Sequence, residues 1–500
     1  MVDIFMYEEY EPRKYNILEV MPFGFVIELR NNDSYFTKEY EIEINGEIHK
    51  SNKNVFSKFG LKPDTEYTIK LFDEQFTIQT KKVDFVINVE DYNNCINTAI
   101  YSAPEHSISL IYVPKGIYEV STIFLRSYVD IYLEKGAVIK QTTDKDKLPI
   151  LKGYQKSYDH EYVDINASWE GNPLDCFTSV IYGKNVKNMK IYGEGTIDGN
   201  GDISGFWENH KMKKNGACVN GKIINAYRPK NVLLLNCENI SIIGISSINS
   251  ASWNIHPLNC YGLEFIDLKI ESIDESPNTD GLNPESCKHV QIIGCHFSTG
   301  DDCIAIKSGK YYMSRKHYKP TEDVTIRNCF MEKGHGAVVI GSEIACGVYE
   351  VTVENCLFQE TDRGLRIKTR RGRGEKSIVD KISFENIVMD KVRHGFVINM
   401  FYHCDPDGKS DYVKNKNVTE KDEFTPTVKN VKLRNVKATN ISGSGIFIYG
   451  LPENKVTGVS IEDSSFEFAK ERIIECPAML CDFEMIEPID FFYENCEVEN

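Results

Sequence analysis

A segment with the same polar–β–polar–β pattern recurs through most of the chain after residue 176. It begins with VKNMKIYGEGTID and ends with TGVSIEDSSFEF, and most copies start about 23 to 34 residues after the previous one. Repeats of this length are typical of stacked architectures, in which each unit buries its apolar face against its neighbours. The copies lack the four strands of a propeller blade and the Leu/Asn spacing of leucine-rich repeats. They therefore predict an all-β fold, a right-handed parallel β-helix, over residues 84–500.

Residues 1–83 have a different pattern, in which short β-like runs such as FGFVIELR alternate with turn-rich connections. No helical period interrupts these runs, so we predict a small β-sandwich as a separate first domain. The stretch FGLKPDTEYTIKLF (59–72) resembles the strand–turn–strand segment of fibronectin type III modules. Another kind of sandwich, serving as a spacer, is the alternative interpretation.

Two segments are expected to cover the ends of the coil stack. Residues 91–103 have the pattern of an amphipathic helix, which would close the N-terminal mouth. The acidic segment CDFEMIEPIDFFYENCEVEN (481–500) would cover the strand edge at the other end.

The charge and the cysteines exclude several classes of protein. A formal net charge of −16 argues against binding to nucleic acid or to an anionic membrane. No run of eighteen apolar residues and no export signal is visible, so a cytoplasmic location is expected, or a secreted one if a leader has been removed. The 15 cysteines form no CxxC pair, which favours a reduced setting over a disulfide framework and makes zinc an unlikely ligand. The oligomeric state is not predicted.

Four consecutive coils carry polar groups at comparable positions: NTDGLNP (278–284), GDDCIAIKSG (300–309), GHGAVVIGSE (334–343) and RGLRIKTR (363–370). Equivalent points of neighbouring coils lie about 4.8 Å apart. One groove would therefore be lined by Asp280, Asp301, Asp302, His335, Arg366 and Lys368. Each residue alone has a structural alternative, such as a turn aspartate, a solvated loop or a tight passage between glycines. Their recurrence on four repeats favours a functional site.

Clustered carboxylates suit the hydrolysis of a glycosidic bond. One protonated carboxyl gives a proton to the leaving oxygen, and an ionised one activates water or attacks carbon. Like charges raise the pKa of at least one member of such a cluster, which supplies the difference between the two groups.

The segment 361–376 contains seven Arg or Lys residues and two acids in an otherwise acidic chain. Strand alternation predicts that Arg366, Lys368 and Arg370 face the groove, whereas Leu365, Ile367 and Thr369 face the core. Arg371 and Arg373 would lie at or beyond the following turn, in solvent. Cations beside essential carboxylates indicate a substrate that is itself a carboxylate, which Arg binds in a bidentate manner. We expect an acidic sugar.

The motifs NTDG, GDD, GHG and RIK, in this order and spacing, resemble those of glycoside hydrolase family 28, the polygalacturonases and their relatives. The likeness extends from about residue 84 to beyond 450 and includes GTIDGNG (195–201). It implies a right-handed parallel β-helix and an inverting hydrolysis of α-1,4-linked galacturonate, without metal or cofactor. For inversion, the Asp301 carboxyl should stand about 6.5–9.5 Å from that of Asp280 or Asp302.

The same resemblance implies a role for each site residue. Asp301 would be the general acid, Asp280 and Asp302 would hold and activate the water, and His335 would tune the acid. Arg366 and Lys368 would bind uronate carboxylates, and Tyr402 is our choice for the groove tyrosine of the family. Further substrate contacts are expected from Asn278, His256, Lys307 and Arg370.

GHGAVVIGSE followed by RGLRIKTRRGRGE is similar to the exo-acting bacterial and plant-like branch, several of whose members carry an N-terminal fibronectin-like module. Long interruptions at 142–180, 203–226 and 402–426 could close one end of the groove, as exo action from the non-reducing end requires. They could also be passive surface loops.

Other functions remain open at this point. A β-helix can be a polysaccharide lyase that uses a metal for β-elimination. An endo-polygalacturonase or a rhamnogalacturonan hydrolase of the same family is a further possibility, and so is a sugar-binding β-helix without activity.

Overall fold

The structure, a computed structural model of the 500-residue chain, describes residues 14–30, 36–105, 107–156, 163–207, 217–219, 222–224 and 226–499. The chain folds as two compact units, Met1–Lys82 and Val83–Asn500. No helix among the described residues is long and apolar enough to cross a membrane.

The first unit contains two antiparallel sheets. The three-stranded sheet consists, in spatial order, of Tyr15–Met21, Gly24–Leu29 and Val55–Phe59. The four-stranded sheet consists of Glu47–Lys53, Phe36–Ile44, Glu66–Leu71 and Glu74–Gln79. Side chains of both sheets, among them Phe25, Ile27, Ile42 and Ile69, share one apolar core. The predicted β-sandwich is thus present as two sheets packed face to face.

The second unit is built around a 22-stranded sheet in which consecutive coils pair in parallel. Its strands are Phe85–Asn88, Ser109–Val113, Gly116–Val120, Val129–Leu133, Ala137–Gln141, Lys187–Gly193, Thr196–Asp198, Glu238–Ile243, Ser246–Ile248, Tyr261–Ile266, Lys269–Glu271, Lys288–Ile293, His296–Ser298, Thr321–Arg327, Phe330–Glu332, Val348–Glu354, Leu357–Gln359, Ile378–Asp390, Thr427–Ile441, Val456–Glu462, Ser465–Phe468 and Cys496–Glu499. The arrangement is consistent with the right-handed parallel β-helix predicted from the repeats.

A further face of the coils is formed by two parallel sheets. One has four strands, Ile123–Phe124, Ile181–Lys184, Val232–Leu235 and Ile255–Leu258. The other has six strands, Ile304–Ile306, Val338–Gly341, Arg363–Lys368, His394–Asn399, Ile446–Tyr449 and Phe491–Glu494. Residues 280–285 lie between them and continue the ladder only through isolated bridges at Leu282 and Glu285. The two sheets therefore meet at the segment that carries the NTDGLNP motif, and we call their combined surface the site face.

The remaining elements are short. Three two-stranded pairs join Ile150–Leu151 to Cys176–Phe177, Tyr154–Lys156 to Val163–Ile165, and Ala217–Val219 to Lys222–Ile224. Within the described residues, the α-helices are Ile96–Ser102, Tyr311–Lys316 and Asp411–Lys414, and the 3₁₀-helices are Val89–Tyr92, Lys145–Lys147 and Pro406–Lys409. Much of the interruption at 203–226 lies outside the described residues.

The recurring Asn-Cys dipeptides mark one corner of the coil. Asn259, Asn328 and Asn355 adopt left-handed backbone angles, with φ of 57°, 54° and 52°. Asparagine tolerates this conformation better than most residues because its side chain can bond to the local backbone. The cysteine that follows points into the coil, and Cys260 and Cys329 belong to the buried core. The dipeptide therefore turns the chain and fills the interior at the same step.

The predicted N-terminal helix is present but shorter than expected, whereas the C-terminal segment differs from the expectation. The N-terminal helix spans Ile96–Ser102 rather than 91–103, and its buried residues Ile96, Ala99 and Ile100 belong to the core of the coils. The acidic C-terminal segment does not cover the other edge. Instead, Phe491–Glu494 and Cys496–Glu499 pair in parallel with the preceding coil and extend it.

Candidate active site

Three aspartates converge on the site face. Asp280 precedes the bridge at Leu282, and Asp301 and Asp302 precede the neighbouring strand Ile304–Ile306. The backbone ladder joins the two coils directly, because the Gly281 amide donates to the Asp302 carbonyl at 3.0 Å. One carboxylate oxygen of each aspartate lies within 4.8 Å of one from each of the others. The predicted grouping of the three acids in one place is therefore present.

The three acids differ in their access to solvent. Asp301 lines a cleft of about 560 Å³ together with Trp207, residues 273–278, Gly300 and His335, and we call this the catalytic cleft. Asp280 and Asp302 lie behind it, with only 3% and 1% of their surface exposed. A ligand in the cleft can touch Asp301 directly, whereas it meets the other two carboxylates only through a small intervening group such as water.

His335 lies beside Asp301 at the mouth of the cleft. Its Nδ1 is 3.3 Å from Asp301 Oδ1, and its amide donates to the Asp301 carbonyl at 3.0 Å. Gly334 has a φ of +110°, and a Cβ at that position would lie 2.7 Å from the Asp301 carbonyl oxygen. Only glycine fits this close passage in this conformation. The glycine therefore lets His335 approach the acid.

Lys368 and Arg366 approach Asp302 from the coils beyond it. Lys368 Nζ donates to Asp302 Oδ2 at 2.7 Å, and Arg366 Nη1 is 3.9 Å from Asp302 Oδ1. Leu365 and Ile367 point into the core, so the predicted alternation along this strand is confirmed for these four residues. The ring of Tyr402 lies 5.8 Å from the Arg366 guanidinium and 5.5 Å from Lys368 Nζ, which places this tyrosine beside the site as predicted.

Buried polar groups hold Asp280 in place. Asn283 Nδ2 donates to Asp280 Oδ2 at 2.6 Å, and Lys307 Nζ lies 3.7 Å from the same oxygen. Lys307 also donates to Glu343 Oε2 at 2.9 Å and has 4% of its surface exposed. Lys307, predicted to contact the substrate, is thus a partner of Asp280 instead.

The pKa values of Asp280 and Asp301 are shifted in opposite directions. Burial and the negative charge of Asp301 raise the pKa of Asp280 to about 8. Burial also acts to raise the pKa of Asp301, but the hydrogen bond and charge of His335 outweigh it and bring that pKa below its ordinary value. The bond to Asp301 in turn raises the pKa of His335. The shifts therefore favour protons on Asp280 and His335, whereas the role of general acid that the resemblance implies for Asp301 requires the proton on Asp301.

The raised pKa of Asp280 predicts a pH dependence of stability. Between an ordinary carboxyl pKa of about 4 and about 8, the folded chain holds a proton that the unfolded chain has lost, so stability falls as pH rises across this window. Asp280→Asn removes the effect. We expect the variant to gain stability relative to wild type from pH 5 to pH 8, by at most about 1.4 kcal/mol per pH unit. Urea denaturation at both pH values measures it, and parallel pH profiles of the two proteins would contradict it.

Of the other residues predicted to contact the substrate, Asn278 lies at the catalytic cleft and His256 does not. Asn278 lines the catalytic cleft as expected, and its Oδ1 accepts from Arg228 Nη2 at 2.6 Å. The prediction for His256 is wrong: the residue is fully buried, its Nε2 lies 2.8 Å from Glu285 Oε2, and it forms part of the support beneath the site. The predicted separation of 6.5–9.5 Å between acids is also not met, because the nearest oxygens lie within 4.8 Å.

The second half of the basic segment does not face the substrate. Arg370 is 2% exposed and donates to Asp405 and Asp407, so its predicted substrate contact is wrong. Arg373 donates to Asp405 Oδ2 at 3.2 Å and is also buried, contrary to the prediction. Alternation gave the correct side of the strand for Arg370, but acids from a distant segment neutralise the charge. These arginines hold the interruption at 402–426 against the coils.

Arg371 was predicted to lie in solvent and is instead completely buried. Its Nε and Nη2 donate to the two carboxylate oxygens of Glu453 at 2.6 and 2.8 Å. Its Nη1 donates to the carbonyl of Asn415 at 2.6 Å and to that of Tyr412 at 3.2 Å. The Arg371 guanidinium thus connects its own coil with the interruption at 402–426 and with the turn that carries Glu453.

Sequence reasoning did not identify Arg228. Its guanidinium donates to the carbonyls of Ala251 and Pro277 and to Asn278, so it fixes the segment that forms one wall of the catalytic cleft. It stands in AYRPKN, upstream of the four motifs, and the only available signal was an isolated Arg before a proline.

The three aspartates are the one group of metal-ligating side chains that the described residues bring together. Carboxylates alone suit a hard divalent cation. Here the ammonium groups of Lys368 and Lys307 already stand at 2.7 Å and 3.7 Å from two of these carboxylates. The set of charges therefore fits proton transfer between carboxyl groups better than it fits a metal.

Comparison with known proteins relates the second unit to carbohydrate-active enzymes. Residues 151–480 match the family described as glycosyl hydrolases family 28. A probable polygalacturonase from Vitis vinifera is 28% identical over 365 residues, which cover 72% of this chain and 67% of that protein. An exopolygalacturonase from Arabidopsis thaliana is 30% identical over 355 residues, 68% of this chain and 69% of its own length. Several other curated relatives are matched over about half of their length.

Among solved structures, an exopolygalacturonase from Thermotoga maritima is 25% identical, with a TM-score of 0.66 over 83% of this chain and 91% of that one. Together with this family match, the parallel β-helix and the clustered carboxylates on adjacent coils place the chain in the class of glycoside hydrolases. Since the family match covers more than half of its residues, the chain belongs to glycosyl hydrolases family 28.

Proposed function

We propose that the protein is an exo-acting polygalacturonase, which hydrolyses α-1,4-linked galacturonate from the non-reducing end with inversion. The observation that carries the proposal is the placement of the acids. Asp301 is accessible from the catalytic cleft, and two buried carboxylates lie within 4.8 Å behind it. The names of similar proteins above, which include exopolygalacturonases, support galacturonate as the substrate.

Asp301 gives a proton to the leaving glycosidic oxygen. The bond to Asp301 raises the pKa of His335 and so favours the protonated imidazole, which supplies that proton. A uronate carboxylate entering the cleft adds negative charge beside Asp301 and so raises its pKa. The proton then moves from His335 to Asp301 and on to the oxygen, and the bond to the anomeric carbon breaks.

Asp302 accepts the proton of the attacking water. Its Oδ2 is held by Lys368, whereas its Oδ1 accepts no hydrogen bond from the described residues. With oxygens within 4.8 Å of each other, the two carboxyl groups are close enough for one water to bond to both at about 2.8 Å each. Asp280 orients the water together with Asp302. Their burial favours attack by water over a covalent bond from either carboxylate to the sugar, and inversion is proposed on this ground, although the acids stand closer than the roughly 6.5–9.5 Å expected for it.

Arg366 and Lys368 provide the positive charge that an acidic substrate needs. Arg366 Nη2 is buried and bonds to no described group, so it retains an unused hydrogen-bond donor. A guanidinium binds such a ligand through two parallel hydrogen bonds.

Exo action is supported by segments that cover the site face on both sides of the acids. On one side, Ile165 from the interruption at 142–180 packs with Leu233 and Leu258. On the other, Phe483 packs against Phe447 and Tyr449 of the last strands. On this proposal these segments leave only the coils around Asp301 open to a substrate, so that a chain enters by its end.

The N-terminal unit completes the proposal. Its four- and three-stranded antiparallel sheets and their strand order support a likeness to fibronectin type III modules.

A product time course on defined galacturonate oligomers tests the function. We expect galacturonate or digalacturonate as the only early product, with slow loss of viscosity on polygalacturonate and an initial β-anomer by proton NMR. Chelator should have no effect. An early ladder of medium oligomers would indicate endo action, an α-anomer would indicate retention, and an ultraviolet-absorbing product lost with chelator would indicate a lyase.

A further inference from the structure

A two-residue hairpin from the interruption at 142–180 reaches the site face. Trp169 and Asn172 exchange backbone hydrogen bonds of 2.9 and 3.1 Å. The two residues between them, Glu170 and Gly171, have φ values of 45° and 74°. Left-handed angles at both central positions are those of a type I′ turn. A glutamate in this conformation is uncommon, and it places the carboxyl at the tip of a rigid turn.

The tip of this hairpin is fixed against the coil that carries Asp301. The Lys310 amide donates to the Gly171 carbonyl at 3.0 Å. A Cβ on Gly171 would lie 2.8 Å from that amide nitrogen and 3.0 Å from the Cβ of Glu343, which is itself paired with Lys307. The hairpin thus packs tightly on the buried network beneath the carboxylates.

The body of the hairpin leads to the catalytic cleft. The Trp169 ring stacks on that of Tyr227 with 4.8 Å between centroids, and the Arg228 guanidinium lies 5.1 Å from the Trp169 ring. Arg228 in turn bonds to Asn278, which lines the catalytic cleft. A continuous set of contacts therefore connects the hairpin with the wall of the cleft.

Lys310 connects the hairpin with the interruption at 402–426. Its Nζ donates to Asp405 Oδ1 at 2.9 Å and lies 3.8 Å from Glu170 Oε2. The closer partner of the ammonium group is thus Asp405. The Glu170 side chain retains 36% exposure, so part of it is accessible to a ligand.

We propose that Glu170 is the residue that reads the non-reducing terminus of the substrate: its carboxyl binds the free hydroxyl groups of the terminal sugar and occupies the space of a preceding one. This inference rests on the proposed function and adds to it the residue that selects the chain end. Carboxyl groups beside an aromatic ring suit a sugar, because they accept hydrogen bonds from its hydroxyls while the ring covers an apolar face.

The test compares wild type, Glu170→Gln and Glu170→Ala on reducing-end-labelled octagalacturonate. Gln keeps the size of the side chain and one of its two acceptor oxygens, and Ala removes the whole polar group while retaining a Cβ. We expect the Gln variant to stay within a few-fold of wild type and to shorten the substrate stepwise. The Ala variant should lose about tenfold or more in kcat/KM for terminal release. It should also produce labelled fragments of intermediate length early in the reaction.

A second substrate examines the hydroxyl contact itself. Octagalacturonate with a 4,5-unsaturated terminal residue lacks the terminal 4-hydroxyl group. Wild type should use it about tenfold less efficiently or worse, and Glu170→Ala should discriminate less than about twofold. The control is Glu194→Ala, since Glu194 is similarly exposed at 42% and is paired with Lys135. If the Ala variant does not fold, Glu170→Asp, which withdraws the carboxyl by one methylene, replaces it with the same expectation.

The outcomes separate the two proposals. A wild type that is inactive on galacturonate, or that gives a ladder of fragments, overturns the proposed function irrespective of Glu170. A stepwise wild type whose Glu170→Ala variant keeps both the stepwise products and the discrimination overturns the inference alone.

Discussion

Asp301→Asn should lower kcat on galacturonate oligomers by roughly 10²–10⁴-fold, the contribution of a positioned general acid. The variant keeps the shape of the side chain but cannot deliver a proton to the leaving oxygen. Because Asp301 is one of the residues that line the catalytic cleft, its replacement should leave substrate binding nearly intact. Single-turnover rates and binding measured by calorimetry separate the two quantities.

The matched control for this prediction is Asp274→Asn. Asp274 lines the same cleft, but its carboxylate is 60% exposed and pairs with Lys333 at 3.0 Å. We expect this change to alter kcat only a few-fold. If Asp301→Asn retained more than about a tenth of wild-type kcat, the assignment of the proton donor would be wrong.

Arg371→Met should destabilise the second unit by about 3–5 kcal/mol, the typical effect of removing one partner of a buried ion pair. Methionine fills a similar volume without charge. The Glu453 carboxylate, of which 3% is exposed, would lose both of its bonds to the guanidinium, and the Asn415 carbonyl would lose its donor. The shift in the urea midpoint of purified protein measures the loss.

The comparison variant is Arg393→Met. This guanidinium is 44% exposed and pairs with Asp362 and Glu475 at 3.3 and 3.4 Å. An exposed pair contributes about 1 kcal/mol or less. Equal destabilisation by the two substitutions would show that the buried network around Arg371 contributes no more to the free energy of unfolding than an exposed ion pair does.

The repeats predicted the coil stack because periodicity is a local property that each copy displays. Alternation along RGLRIK likewise placed Leu365 and Ile367 in the core and Arg366 and Lys368 beside the carboxylates. Convergence of the acids followed from the constant spacing between coils.

The errors concern partners that are distant in sequence. Arg371 is buried because Glu453, 82 residues later, neutralises it. Arg370 is buried by Asp405 and Asp407, which come from an interruption whose path no local pattern specifies. His256 is a residue type that often occurs in active sites. Its imidazole is instead buried and paired with the buried carboxyl of Glu285.

The distribution of protons was also beyond local reasoning. Three aspartates in one motif set are chemically alike in the sequence. Their difference arises from burial, which raises the pKa of Asp280, and from His335, which lowers that of Asp301. Both effects depend on depth and distance, which only the folded chain defines.

The segments around the catalytic cleft are attached to the coils in a way that has an evolutionary consequence. The three clustered aspartates stand on two adjacent coils, whereas Glu170 and Asp405 stand on interruptions joined to each other through Lys310. Duplication or loss of residues within such interruptions leaves the register of the coils unchanged. Selection can therefore alter the interruptions while the aspartates keep their positions.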